Sequence, residues 1–187
     1  MDLDALVAAV GQGDKAAFNT LYRVQYRPLL ALATGLLAGD RAAAEDVVDT
    51  AFIAIWQGAS SLTEQGGARG WMRRILRNKA VDWLRINARY DLGLEASDLT
   101  ELRDPASDPE CLAIGTDAAR RLVAALSQLS LDQREAVMLC YFEDLPLAQI
   151  AAIAGCPEGT VKTRLFHARK ALRARLPGSL EILAAVG

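Results

Sequence analysis

The residues best suited to touch another molecule crowd one stretch near the C-terminal end: Lys162, Thr163, Arg164, Phe166, His167, Arg169 and Lys170. Their chemistry is recognition rather than bond-making. Lys and Arg neutralise phosphates, Arg, Lys and Thr also hydrogen-bond base edges, and a Phe ring offers apolar contact. Spacing supplies the scaffold. Val161, Leu165, Ala168 and Leu172 recur at four, three and four residues, which is a buried helical stripe. The recognition residues fall on the opposite faces. Before them Ile150, Ala151, Ile153 and Ala154 form a short small-residue helix that ends at Gly155, and Pro157 suits the first position of the next helix. Two helices crossing at a tight Gly turn are a helix-turn-helix, whose second helix enters the major groove.

A second basic stretch lies earlier. Residues 67–90 hold seven basic and one acidic residue, on an amphipathic helix expected from residue 70 to about 90 with Trp71, Ile75, Leu76, Val81 and Leu84 on its apolar side. The formal charge of −2 conceals this segregation: residues 91–120 carry eight acidic and two basic residues between the two basic blocks. Either block alone reads as a solvated helix face; two on separate helical segments suit a polyanion held at two places.

Other chemistry finds little support. His167 is the single histidine, no Ser or Cys stands as an obvious nucleophile, and Cys111, Cys140 and Cys156 form neither a CxxC pair nor a zinc-ligand spacing. Cys140, among Met138, Leu139 and Phe142, reads as core. Neither an enzyme, a metal site nor a cofactor is implied.

The elements that position these residues are helical. The chain has 187 residues, with 34 Ala and 28 Leu, and 52% hydrophobic residues exclude a disordered chain. Expected helices begin with residues 3–10. Asp14 caps the next, which Pro28 kinks or divides, and Asp40 caps one reaching about Trp56. Residues 57–69 read as a loop. Residues 91–116, with Pro105 and Pro109, read as a linker, and helices follow at 117–126, 132–142, 147–154 and 157–176. The acidic start and the lack of a long apolar run predict a cytoplasmic protein.

The segment LAQIAAIAGCPEGTVKTRLFHARKAL, with AALSQLSLDQREAVMLCYFEDLPLAQIA before it, resembles region four of bacterial sigma factors. AFNTLYRVQYRPLLALATGLLAGDRAAAEDVVDTAFIAIW resembles the start of region two, and WMRRILRNKAVDWLR its end. The order and spacing resemble the short extracytoplasmic-function (ECF) group, over nearly residues 14–176.

The resemblance implies an all-α protein of two helical domains: region two at 1–90, a flexible acidic linker at 91–116, region four at 117–178 and a tail at 179–187. It implies binding to core RNA polymerase through Glu45, Asp46 and Asp49, with Phe52 and Trp56 packing inward. The family usually carries Gln and an acidic residue where Asp49 and Thr50 stand. Minus-ten promoter DNA would meet Arg73, Arg74, Arg77, Asn78, Lys79 and Arg85, with Asn78 reading a base and the 60–69 loop capturing a flipped one. The minus-thirty-five element would meet Lys162, Thr163, Arg164, Phe166, His167, Arg169 and Lys170, His167 standing where Arg is common. An anti-sigma factor is the implied regulator. The competing reading is a conventional helix-turn-helix regulator with a helical sensor domain.

Overall fold

The computed structural model describes residues 2–62, 67–91 and 117–175. The proposed linker, the tip of the 57–69 loop, Cys111 and the tail at 179–187 lie largely or wholly outside them.

Four helices build the first half: α1 (Leu3–Gly11), α2 (Lys15–Leu36), α3 (Arg41–Gly58) and α4 (Gly67–Asp91). Each of the first three starts where an Asp side chain replaces the missing backbone acceptors. Asp2 accepts from the amides of Asp4 and Ala5, Asp14 from Ala16 and Ala17, and Asp40 from Ala43. Asp4 performs a longer-range version, accepting from the Ala68 amide at 2.6 Å and so tying α1 to the first turn of α4.

Two expectations need correction. Pro28 does not divide α2, which runs unbroken from Lys15 to Leu36. Val24, four residues before it, is exposed, so water can serve the carbonyl that loses its amide partner. Residues 57–69 are not a single loop either. α3 continues to Gly58, a 3-10 turn covers Ala59–Ser61, and α4 begins at Gly67. The turn is pinned because Gly11 lets α1 approach it closely: a Cβ there would lie 3.0 Å from the Ala59 carbonyl carbon and oxygen.

The core of this half comes from Val7, Leu21, Leu29, Leu36, Val48, Ala51, Ile55, Met72 and Leu76. The buried stripe of α4 is Ala68, Met72, Leu76 and Ala80, one register from the expected one. Trp71, Ile75 and Leu84 pack against the core without being engulfed.

The second half contains α5 (Asp117–Ser127), α6 (Leu131–Val137), a π-helical turn (Met138–Phe142), α7 (Leu147–Ala154) and α8 (Glu158–Arg175). Ser130 and Gln133 form a reciprocal capping box at the start of α6. Gly155 closes α7 with φ 63° and ψ 37°, the left-handed conformation that the sharp turn into α8 requires. Val161, Leu165, Ala168 and Leu172 are all buried, as their spacing predicts.

The two halves share one continuous apolar cluster. Gly39 lets Val123 of α5 approach, and Gly35 lets Met138 lie against α2; a Cβ at Gly35 would overlap the Met138 thioether. Arg134, itself buried, donates from Nη1 to the carbonyl of Leu36 at 2.5 Å and from Nη2 to that of Leu129 at 3.0 Å. A cation from α6 thus serves an unpaired carbonyl at the C-terminal end of α2, where the helix dipole is negative.

Candidate nucleic-acid interface

The buried stripe of α8 fixes which residues point outward. Lys162, Thr163, Phe166, His167, Arg169 and Lys170 are exposed, and Phe166 keeps 63% of its surface open. A Phe this exposed contributes little to packing, so its position on this face argues for contact with a partner. Its ring meets His167 edge-on at 5.5 Å. The Thr163 hydroxyl donates to the Gly159 carbonyl at 3.0 Å and keeps its lone pairs available. Arg169 lies 5.8 Å above the Tyr141 ring, which holds its guanidinium by a cation-π contact.

Arg164 differs from its neighbours. It is half-buried, donates to Asp132 Oδ2 at 2.6 Å, and reaches Cys156 Sγ at 3.4 Å. These contacts tie α8 to the turn before it and to α6. They also direct the guanidinium inward in this arrangement. Cys140 is partly buried against the core, and burial pushes its thiol pKa up, against the lowering effect of Arg169. That environment suppresses thiolate chemistry.

On α4 the basic residues divide into two sets. Arg74, Asn78 and Arg85 are exposed and Lys79 is half-buried, so they form an outward face. Arg73 and Arg77 turn toward the second half. Arg73 is 2% exposed and pairs with Glu143. Burial, helped by the neighbouring Arg69, pushes its pKa down to about 10, which leaves it charged at neutral pH. Arg77 places Nε 3.1 Å from Oε1 of Glu135 and reaches Asp132 at 3.9 Å. Glu135 is 2% exposed. Burial raises its pKa, while the charge of Arg77 opposes the shift.

Nothing in the sequence announced this network. Its partners lie far apart in the chain, Arg73 and Glu143 by 70 positions, and they meet only because α6 and α7 pack against α2 and α4.

A third surface lies on α3. Asp46 and Asp49 are exposed, and Glu45 is half-exposed and paired with Arg41 at 3.0 Å. Phe52 is buried and Trp56 partly so; both rings meet Phe18 edge-on. The structure adds Tyr22, Tyr26 and Ile53 to this surface. Tyr22 stacks on Phe52 at 4.6 Å and on Tyr26 at 5.1 Å, and Ile53 is 57% exposed. Burial raises both phenol pKa values, and the Asp49 charge adds to the rise. An exposed Ile on the turn after Asp49 was the available signal in the sequence, since it breaks the polar face of α3.

Among the described residues no group of His, Cys, Asp and Glu is placed to hold a metal ion, and no helix is long and apolar enough to cross a membrane.

The fold and these surfaces define a two-module, all-helical nucleic-acid-binding protein with a separate acidic face. Residues 21–90 match the model for Sigma-70 region 2, and residues 119–172 that for Sigma-70, region 4. The sigma factor SigL of Mycobacterium tuberculosis is 32% identical over 174 residues, spanning 92% of this chain and 96% of the relative. The sigma-E factor of Haemophilus influenzae is 30% identical over 186 residues, spanning 92% and 94%. A probable sigma factor of Xanthomonas campestris, RfaY, is 34% identical over 139 residues; the match spans 73% of this chain but 35% of that protein. Among solved structures, RpoE of Bartonella quintana in complex with the anti-sigma factor NepR superposes with TM-score 0.69 at 26% identity, covering 87% of this chain and 98% of that one. CnrH in complex with the cytosolic domain of CnrY shares the fold, with TM-score 0.64 at 24% identity over the whole of both chains. The chain therefore belongs to the ECF RNA polymerase sigma factors of the sigma-70 family.

Proposed function

We propose that this protein works without catalysing a reaction: it docks on core RNA polymerase and directs it to promoters by differential binding. The unit of residues 1–90 serves the polymerase and the minus-ten element, the unit of residues 117–178 serves the minus-thirty-five element, and residues 91–116 join them. Glu45, Asp46 and Asp49, with the apolar Tyr22, Tyr26 and Ile53 beside them, form the polymerase-facing surface. Arg74, Asn78, Lys79 and Arg85, on the outward face of α4, meet minus-ten DNA, and Arg73 and Arg77 join them when α4 is uncovered. Lys162, Thr163, Phe166, His167, Arg169 and Lys170 read the minus-thirty-five element, with Arg164 positioning the helix.

The single observation carrying this reading is α8: an exposed aromatic and five exposed polar or basic residues on the second helix of a helix-turn-helix whose opposite stripe is fully buried. Opening of the duplex then needs no bond chemistry, because a strand that binds better when separated pulls the equilibrium toward separation. The complex of the RpoE relative with NepR supports regulation of this chain by an anti-sigma factor too. The region-two match at residues 21–90 speaks against a conventional regulator with a sensor domain. The test is transcription in vitro with core polymerase on a promoter library, sequencing the initiated transcripts. Enrichment of a shared pair of upstream elements supports the reading, and no transcripts above core polymerase alone refutes it.

A further inference from the structure

The minus-ten helix and the minus-thirty-five domain are packed against one another through charge. Arg73 and Arg77 lie on the helix that is to meet DNA, and three carboxylates of the second half face them: Glu143 on Arg73, and Glu135 and Asp132 on Arg77. Asp132 also holds Arg164 of α8. Both DNA-directed helices thus have guanidinium groups engaged by one set of acids.

We propose that these carboxylates act as internal stand-ins for DNA phosphates, latching the two modules in a closed form in which part of the promoter-binding surface is already occupied. The proposal rests on the sigma-factor reading for its purpose, but its physical content concerns the free chain.

Three features favour a latch over a permanent weld. The first is chemical equivalence: a carboxylate and a phosphate both accept from guanidinium forks, so polyanionic DNA competes for the same donors. The second is incomplete satisfaction. The Nε atoms of Arg73, Arg77 and Arg134 and both carboxylate oxygens of Glu135 are buried without a well-formed hydrogen bond. Opening lets water and phosphate satisfy them, which narrows the gap between closed and open forms. The third is desolvation. An ion pair as buried as Arg73–Glu143 adds little net stability compared with apolar packing, so it holds geometry without making it irreversible.

The apolar contacts of Gly35 with Met138 and of Gly39 with Val123 align the halves, and the acids then fall opposite the arginines. A partner that draws the modules apart breaks both at once.

The test uses the full chain without polymerase. Asp132→Asn/Glu143→Gln, the milder Glu143→Gln, and the control Asp144→Asn are compared with the parent. Asp144 is exposed, and its φ of 49° suits Asn, so the control removes one charge next to Glu143 without touching the latch. Small-angle scattering reads compactness, and fluorescence anisotropy with a mixed-sequence single-stranded oligonucleotide reads DNA affinity against salt. Both latch variants should expand the chain. Both should bind the oligonucleotide at least fivefold more tightly than Asp144→Asn does, with a log–log salt slope steeper by about 0.7 for each arginine released to a phosphate. Unchanged compactness, or an equal gain in the control, overturns the latch. Far-UV circular dichroism verifies the fold, and the single variant carries the test if the double fails to fold. Failure to support transcription alongside normal opening would refute the sigma-factor reading and leave the latch standing.

Discussion

Two glycines four residues apart should respond to the same substitution with opposite signs. Gly155 ends α7 at φ 63°, ψ 37°, whereas Gly159 lies in the first turn of α8. A Cβ added at either meets nothing within 4 Å, so steric overlap contributes to neither. What remains is backbone conformation. Alanine at a left-handed position costs about 1–2 kcal/mol. Restricting the unfolded chain returns about 0.4–1 kcal/mol of that. Gly155→Ala should therefore destabilise the second half by about 1 kcal/mol, and Gly155→Asn by less, because Asn tolerates the left-handed region. Gly159→Ala removes a poor helix former from a right-handed helix and should stabilise by up to about 1 kcal/mol. The two halves share one core in a chain of 187 residues, so 1 kcal/mol corresponds to about 2–4 °C in melting temperature. Urea titration followed by circular dichroism, with hydrogen exchange to localise the change, measures all three. A neutral Gly155→Ala, a Gly155→Asn worse than Ala, or a shared sign for the two Ala variants would refute the reasoning.

Leu165→Ala, at a site only 2% exposed, should cost about 2–5 kcal/mol and abolish promoter selectivity by unseating α8, as read by denaturation and transcription. Lys162→Ala and Arg169→Ala should leave stability nearly unchanged. Each that contacts a phosphate should flatten the salt dependence of binding to a minus-thirty-five duplex by about 0.9 in log–log slope, and a pair of unaltered slopes would remove both from the phosphate contacts. Asp49→Arg should weaken association with core polymerase about tenfold in co-elution titrations, with an intact fold, because it reverses charge at an exposed point of the α3 face. Glu135 gives a pH signature. Burial raises its pKa above the ordinary 4.5, so the folded state favours the protonated acid, and its contribution to stability is lost as pH rises through the raised value. Glu135→Gln should gain stability relative to the parent from about pH 4 to pH 8; a constant difference across that range would contradict the assigned direction.

The helix-turn-helix was legible almost residue by residue. Its apolar stripe, its Gly turn and its exposed basic face all follow from a period of 3.6 and from the one residue type that accepts φ 63° without strain. The Asp caps of α2 and α3 were equally plain, because a cap bonds amides two or three residues away. The face of α4 was harder. Met72 is buried while Trp71 and Ile75 sit at the edge, and stripes one residue apart look alike on a helix with apolar and basic residues interleaved. The 57–69 stretch looked like a loop from its Gly, Ser and Gln content. Close packing of Gly11 on Ala59 and the Asp4 cap on Ala68 turn both its ends into helix.

The sequence by itself determined the helices, their caps, the two cationic segments and the order that marks a sigma factor, because each of these is written in spacings of a few residues. Only the tertiary structure decided which arginines are free. Arg73 and Arg74 are neighbours in the chain, yet one is buried against Glu143 and the other faces solvent. Adjacent residues on a helix point about 100° apart, and the carboxylates arrive from a part of the chain that local pattern cannot place.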